Sequence, residues 1–214
     1  MTPPSRYKSK SRNSKIRIPA KYYLFPEGSK TEILYFEKIR TYLKANLEVI
    51  PSYDTATSDP ENLGNFALDY LKINKIKLNE ANIAVFVFDL EMGQHNRYEK
   101  CRALKRKFAD KSAFCQLYVS NPCIELWFIM HDENFTTLDE MDYNSAGSCK
   151  KRFGEAPFHG NYDNLYEKID IAAMNAKEII RENSIDVNEP CLEDIVFTNL
   201  YLLFEELNNC NYLK

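Results

Sequence analysis

The chain predicts an α/β fold with a mostly parallel sheet flanked by helices. Three observations carry this. Residues Ile83-Ala84-Val85-Phe86-Val87-Phe88 are apolar on both faces, as a central parallel strand covered by helices must be. Extended apolar runs alternate with segments of helical periodicity, in the order β-α-β-α-β-α-β-α. A length of 214 residues with 44% hydrophobic content supports a substantial core.

The elements follow in order. Residues 1–19 read as a flexible basic arm. Tyr22-Tyr23-Leu24-Phe25 is the first strand candidate, ended by Pro26-Glu27-Gly28. Ser29-Lys30-Thr31-Glu32 fits a capping box, and Phe36, Ile39 and Leu43 then recur at helical spacing. Leu47–Ile50 is a second short strand, closed by Pro51. Asp59-Pro60 opens a helix with Asp as cap and Pro as first residue; its buried stripe is Leu63, Phe66, Ala67, Tyr70 and Leu71. The central strand 83–88 ends in Asp89-Leu90-Glu91. A helix over 95–109 turns Tyr98, Cys101, Leu104 and Phe108 inward, and Lys100, Arg102, Lys105, Arg106 and Lys107 outward. Phe114–Val119 is the fourth strand. It leads into Ser120–His131, a buried helix with Ser120 or Asn121 as cap and Pro122 in its first turn. Residues 20–131 thus form the α/β core. Residues 132–214 are an irregular segment, over 132–162, followed by helices over 163–183 and 197–207, the second capped by Thr198 or a neighbour.

Composition narrows the function classes. Six glycines in 214 residues leave no glycine-rich phosphate loop. Six widely spaced cysteines without a C-x-x-C pair argue against a zinc ribbon and for reduced, packed thiols. No apolar run reaches membrane-spanning length and no apolar signal core starts the chain, so a cytoplasmic protein without membrane contact is expected. The net charge of −3 hides an asymmetry: residues 1–21 carry seven basic groups and no acid, the rest 21 basic and 31 acidic groups. Such an arm contacts a polyanion or serves as a solvated tail.

Acids cluster where open sheets place their sites, outside the carboxyl ends of the strands. Glu27 follows the first strand, Asp89 and Glu91 the central one, and Glu125 the fourth. Extended alternation across Asp89-Leu90-Glu91 puts both carboxylates on one side. Hard oxygen ligands converging there suit Mg²⁺ or Mn²⁺, and such ions serve phosphodiester hydrolysis. The capped helix start at residues 29–32 adds backbone N–H groups for a phosphate, with Lys30 nearby. Each piece also has a plain structural reading: a solvated D-x-E turn, a solvated lysine face, and for Glu125 a buried acid with a basic partner.

Taken together, Glu-Gly-x-Lys-Thr-Glu-x-x-Tyr-Phe (Glu27 to Phe36), Val-Phe-Asp-x-acid (Val87 to Glu91) and Ser-Asn-Pro-Cys-x-Glu-Leu-Trp (Ser120 to Trp127) resemble the RloB-like family, over residues 22 to about 207. That family is similar to Toprim-fold proteins, including the overcoming-lysogenization-defect nucleases. The resemblance implies a metal-dependent nuclease acting on RNA (tRNA among the candidates) or DNA, in anti-phage abortive infection beside an AAA/ABC-type ATPase encoded nearby. A catalytically inactive adaptor is the alternative. Catalysis would fall to Glu27, Asp89, Glu91 and Lys30. Metal binding would fall to Glu27, Asp89, Glu91 and Glu125, with Glu91 standing where Toprim pairs usually carry aspartate. Lys100, Arg102, Lys105, Arg106, Asn121, Lys150 and Lys151 are the expected substrate contacts, and a homodimer is the expected assembly.

Overall fold

A computed structural model describes residues 19–28, 30–52, 59–94, 96–136, 143–155, 157–186 and 195–211, without the side chains of 209–211. Residues 1–18 of the basic arm, the expected cap Ser29, and residue 95, the expected start of the third helix, lie outside the described residues.

The sheet has five strands in the order β2-β1-β3-β4-β5. Strands β1 (Lys21–Pro26), β2 (Leu47–Val49), β3 (Asn82–Asp89) and β4 (Cys115–Asn121) are parallel, and β5 (Phe197–Thr198) runs antiparallel beside β4. The four-stranded expectation therefore misses β5. Residues 197 and 198 are strand, not helix. Phe197 and Thr198 pair with Asn121 and Ser120, and the Ser120 and Thr198 hydroxyls bond at 2.9 Å. Two residues carry no readable alternation, so only a neighbouring edge could reveal this strand. Asn199 completes the join by accepting the Val119 N–H at 2.7 Å.

Helices α1 (Thr31–Leu43), α2 (Pro60–Ile73) and α3 (Arg97–Lys107) connect the parallel strands. Helix α2 begins as its sequence demands: the Asp59 side chain accepts the Glu61 N–H at 2.9 Å, with Pro60 at the first position. Leu63, Ala67 and Leu71 are buried from it, while Phe66 and Tyr70 are partly covered. Helix α4 is short, Ile124–Ile129. Ser120 and Asn121 end β4 and Cys123 is the residue before the helix, so neither expected residue caps it and Pro122 lies outside it. The expected irregular segment contains α5 (Ala146–Gly154), opened by a reciprocal Ser145–Ser148 capping box. A capping box with serine rather than Glu or Gln at its third position escapes the usual pattern. Helices α6 (Ile169–Glu182) and α7 (Tyr201–Asn211) close the chain.

One hydrophobic cluster runs through all these elements. Within it the fully buried Trp127 stacks on Phe204 at 5.0 Å and donates its indole N–H to the Tyr35 hydroxyl at 2.7 Å. Helices α1, α4 and α7 are joined there. His131 sits against the same rings. Its Nδ1 lies 2.8 Å from the Trp127 carbonyl, while its buried Nε2 has no partner among the described residues. Burial lowers its pKa from 6.5 to about 4, against the hydrogen bond to Trp127. Cys101, Cys115, Cys123 and Cys149 are buried and free, as expected, and no helix of the described residues is long and apolar enough to cross a membrane.

A folded-state pKa below the unfolded value stabilises the fold above pH 6.5, and that stability is lost as pH falls toward 4. Replacing His131→Phe keeps the ring and removes the titration. The stability of wild type relative to this variant should therefore fall by about 3 kcal/mol between pH 7 and pH 4 in urea unfolding. A constant difference would show that His131 does not titrate with folding.

Candidate active site

The site begins with a reversal in strand order. From β1 the chain crosses to β2 on one side; β3 then adds on the other side of β1. Ligands of open α/β proteins bind at the crevice such a reversal leaves beyond the strand ends. Register then decides which residues meet. Pro26 pairs with Val87, and the Glu27 N–H donates to the Val87 carbonyl at 3.0 Å. Glu27 and Asp89 therefore flank the crevice, one from each strand. Glu27 Oε2 accepts the Asp89 N–H at 3.1 Å.

Asp89 faces the start of α4, where its Oδ1 accepts the Ile124 N–H at 2.8 Å. Thus the helix lacks a cap from its own segment and takes one from β3. Glu32 enters from α1. Its carboxylate folds back onto the N–H of Gly28 and its own N–H. A Cβ built on Gly28 would stand 1.6 Å from Glu32 Oε2, so glycine is what leaves room for this fold-back. Lys30, not Ser29, precedes the helix, and it makes no side-chain cap bond. Glu125, the second residue of α4, contributes a buried Oε2 that has no hydrogen-bond partner among the described residues.

These carboxyls feel one another. Burial first, then Glu32, Glu27 and Glu125, push Asp89 well above the usual carboxylate range. Burial also raises Glu32, helped by Glu27 and Glu125. Glu27 is raised by burial too, though Arg97 opposes the shift. The Arg97 guanidinium pairs with Glu27 Oε1 through Nη2 and donates from Nε to the Asp89 carbonyl at 2.5 Å.

The expected residues divide as follows. Glu27, Asp89 and Glu125 meet at the edge. Glu91 does not follow the extended alternation: the strand ends at Asp89, and the Leu90 and Glu91 N–H groups bond to the Ser120 and Pro122 carbonyls. Glu91 then turns at φ 54° and its carboxylate takes the Gln94 amide. Lys30 is exposed at the start of α1. Asn121 is fully buried and donates to the Ile195 carbonyl at 2.8 Å, so it braces the sheet edge instead of facing a substrate. On α3, Lys100 pairs with Asp59, Arg102 with Glu99 and Lys107 with Glu61, while Arg106 is exposed and Lys105 partly so. Lys150 and Lys151 are exposed on α5.

Sequence reasoning missed Glu32 and Arg97. Glu32 was absorbed into a capping box. Arg97 stands at the first turn of α3, where a cation opposes the helix dipole, and that misplacement was the available signal.

Among the described residues no group of three or more His, Cys, Asp or Glu side chains is arranged to hold a metal ion. The donors nevertheless suit a hard divalent cation: all are carboxylate oxygens, they repel one another, and the buried Glu125 oxygen lacks a partner.

Fold and site together define an open α/β protein with an acidic switch-point crevice. The chain belongs to the RloB-like family, whose model, described as RloB-like protein, matches residues 22–207. No curated protein and no solved structure matches it.

Removing one charge should relieve the crowding. Asp89 titrates above its unfolded value, so its stabilising contribution is complete below about pH 4 and is lost as pH rises through the folded pKa. Asp89→Asn retains the acceptor for Ile124 and has no such loss. In metal-free buffer its melting temperature should exceed that of wild type at pH 8, with the gain shrinking toward pH 4. Each kcal/mol is worth about 2–4 °C in a chain of this size. A variant less stable than wild type at pH 8 would contradict carboxylate crowding.

Proposed function

We propose that the protein is a Toprim-type, metal-dependent nuclease that cleaves phosphodiester bonds of RNA (tRNA among the candidates) or DNA. In this reading it is the effector of a bacterial anti-phage system with an AAA/ABC-type ATPase partner. The observation that carries it is the meeting of Glu27 and Asp89 across the switch-point crevice, within the field of Glu32 and Glu125. Family membership supports the defence context.

Asp89, Glu27 and Glu125 would hold Mg²⁺ or Mn²⁺, with Glu91 reaching in from its turn. A bound ion of this kind acidifies a water and neutralises phosphate charge. The residues of the chain supply the rest. The Ile124 N–H fixes Asp89 in orientation. Burial raises the Glu27 carboxyl against the opposing Arg97, and in place of ligation Glu27 would serve as general acid or base. Lys30 stands exposed at the start of α1, and Lys150 and Lys151 on α5, as cations for the phosphate. Arg106 and Lys105 of α3, together with the basic arm, would give sequence-independent attraction to a nucleic-acid backbone, the other α3 cations being matched by acids.

A second reading, an inactive adaptor that binds the ATPase or nucleic acid, has one observation in its favour. Both oxygens of Glu27 are engaged, one by Arg97 and one by the Asp89 N–H. Cleavage assays separate the two, with Mn²⁺, tRNA and plasmid substrates and the ATPase present. Asp89→Ala should lower the rate about a hundredfold or more, because loss of a ligand removes both the ion and its water. Equal rates for wild type and variant, or no cleavage by either while ATPase binding persists, would favour the adaptor.

A further inference from the structure

Arg97 carries more than a structural ion pair. Its side chain and that of Glu27 are only 13% and 12% exposed, whereas the α3 pairs of Lys100 and Arg102 lie on open surface. The guanidinium spans the crevice, touching the end of β1 through Glu27 and the end of β3 through the Asp89 carbonyl. It also stands at the first residue of α3, where the helix dipole disfavours a cation. The acidic edge, not the helix, holds it there. Arg97 therefore supplies the positive charge that the crowded carboxyls require.

That placement has a consequence for loading. A divalent ion on Glu27 would sit beside a nearly buried guanidinium, and like charges at such range repel strongly where water is scarce. The two cations compete for one carboxylate. The segment that carries Arg97 leaves β3 through a turn with positive φ at Glu91 and Gly93, and the Arg97 N–H closes it on the Gln94 carbonyl at 2.9 Å.

We propose that Arg97 is a resident counter-cation that locks the acidic edge, and that a divalent ion loads the site only by displacing it from Glu27. This rests on the reading of the edge as a cation site. The Arg97–Glu27 pair would then set a threshold for loading the site.

Calorimetric titration of the full chain with Mn²⁺ tests it, using wild type, Arg97→Gln and Asp89→Asn. Arg97→Gln should bind about tenfold tighter than wild type, and Asp89→Asn should lose binding. Equal affinity of wild type and Arg97→Gln, with loss in Asp89→Asn, overturns the lock and leaves the cation site standing. No binding by any of the three, or binding unchanged in Asp89→Asn, overturns the cation site and the lock with it. A measurement on wild type covers a misfolded Arg97→Gln. The Arg97 Nε–H resonance should be protected from solvent exchange without metal and lose protection at saturating Mg²⁺. Protection that persists at saturation overturns displacement.

Discussion

Repulsion among carboxyls gathered at one end of the sheet is the constraint on which this structure turns. Glu27, Glu32, Asp89 and Glu125 come from four different segments, and each of the first three is shifted by its neighbours as well as by burial. The fold contains this charge by spreading donors around it: the Asp89 and Ile124 N–H groups, the N–H groups at the start of α1, and the Arg97 guanidinium. Buried charges survive only when paired and hydrogen-bonded. Glu125 Oε2 is the point where that provision stops.

The surrounding architecture serves this edge. Parallel pairing of β1 with β3, in a register that sets Pro26 beside Val87, brings Glu27 within reach of the Asp89 N–H at the end of β3. The β4 end then holds the chain beyond β3, through carbonyls of Ser120 and Pro122. The aromatic cluster of Trp127, Tyr35 and Phe204 ties α4 to α1 and α7. Both helices that deliver a carboxyl from outside the central strands, α1 and α4, are therefore fixed through one set of rings. Close packing of this kind transmits small displacements, so changes around Trp127 bear on where Glu32 and Glu125 stand.

The acidic edge also separates chemistry from attraction. The basic residues of α3 that looked like a nucleic-acid face are largely matched by Asp59, Glu61 and Glu99. Exposed pairs of this sort contribute little stability, but they reduce the net positive field of that face. Arg106 on α3 and Lys150 and Lys151 on α5 remain exposed.

Much of the fold was legible because its signals are local. The apolar run of β3, the Asp-Pro start of α2 and the periodicity of α1 each depend on residues within a few positions. Glu27, Asp89 and Glu125 were found for the same reason: a carboxylate just past an apolar strand marks the edge of an open sheet. What the tertiary structure alone decided involves partners distant in sequence. The two-residue β5 exists because β4 offers an edge 76 positions away, as the Asn121–Phe197 pair shows. Glu91 leaves the alternation because its N–H finds Pro122. Glu32 joins the acids because Gly28 leaves space for it, and Arg97 becomes their counter-charge across 70 residues of chain. Periodicity and spacing record which face a side chain takes, and only the folded chain records which charge it meets there.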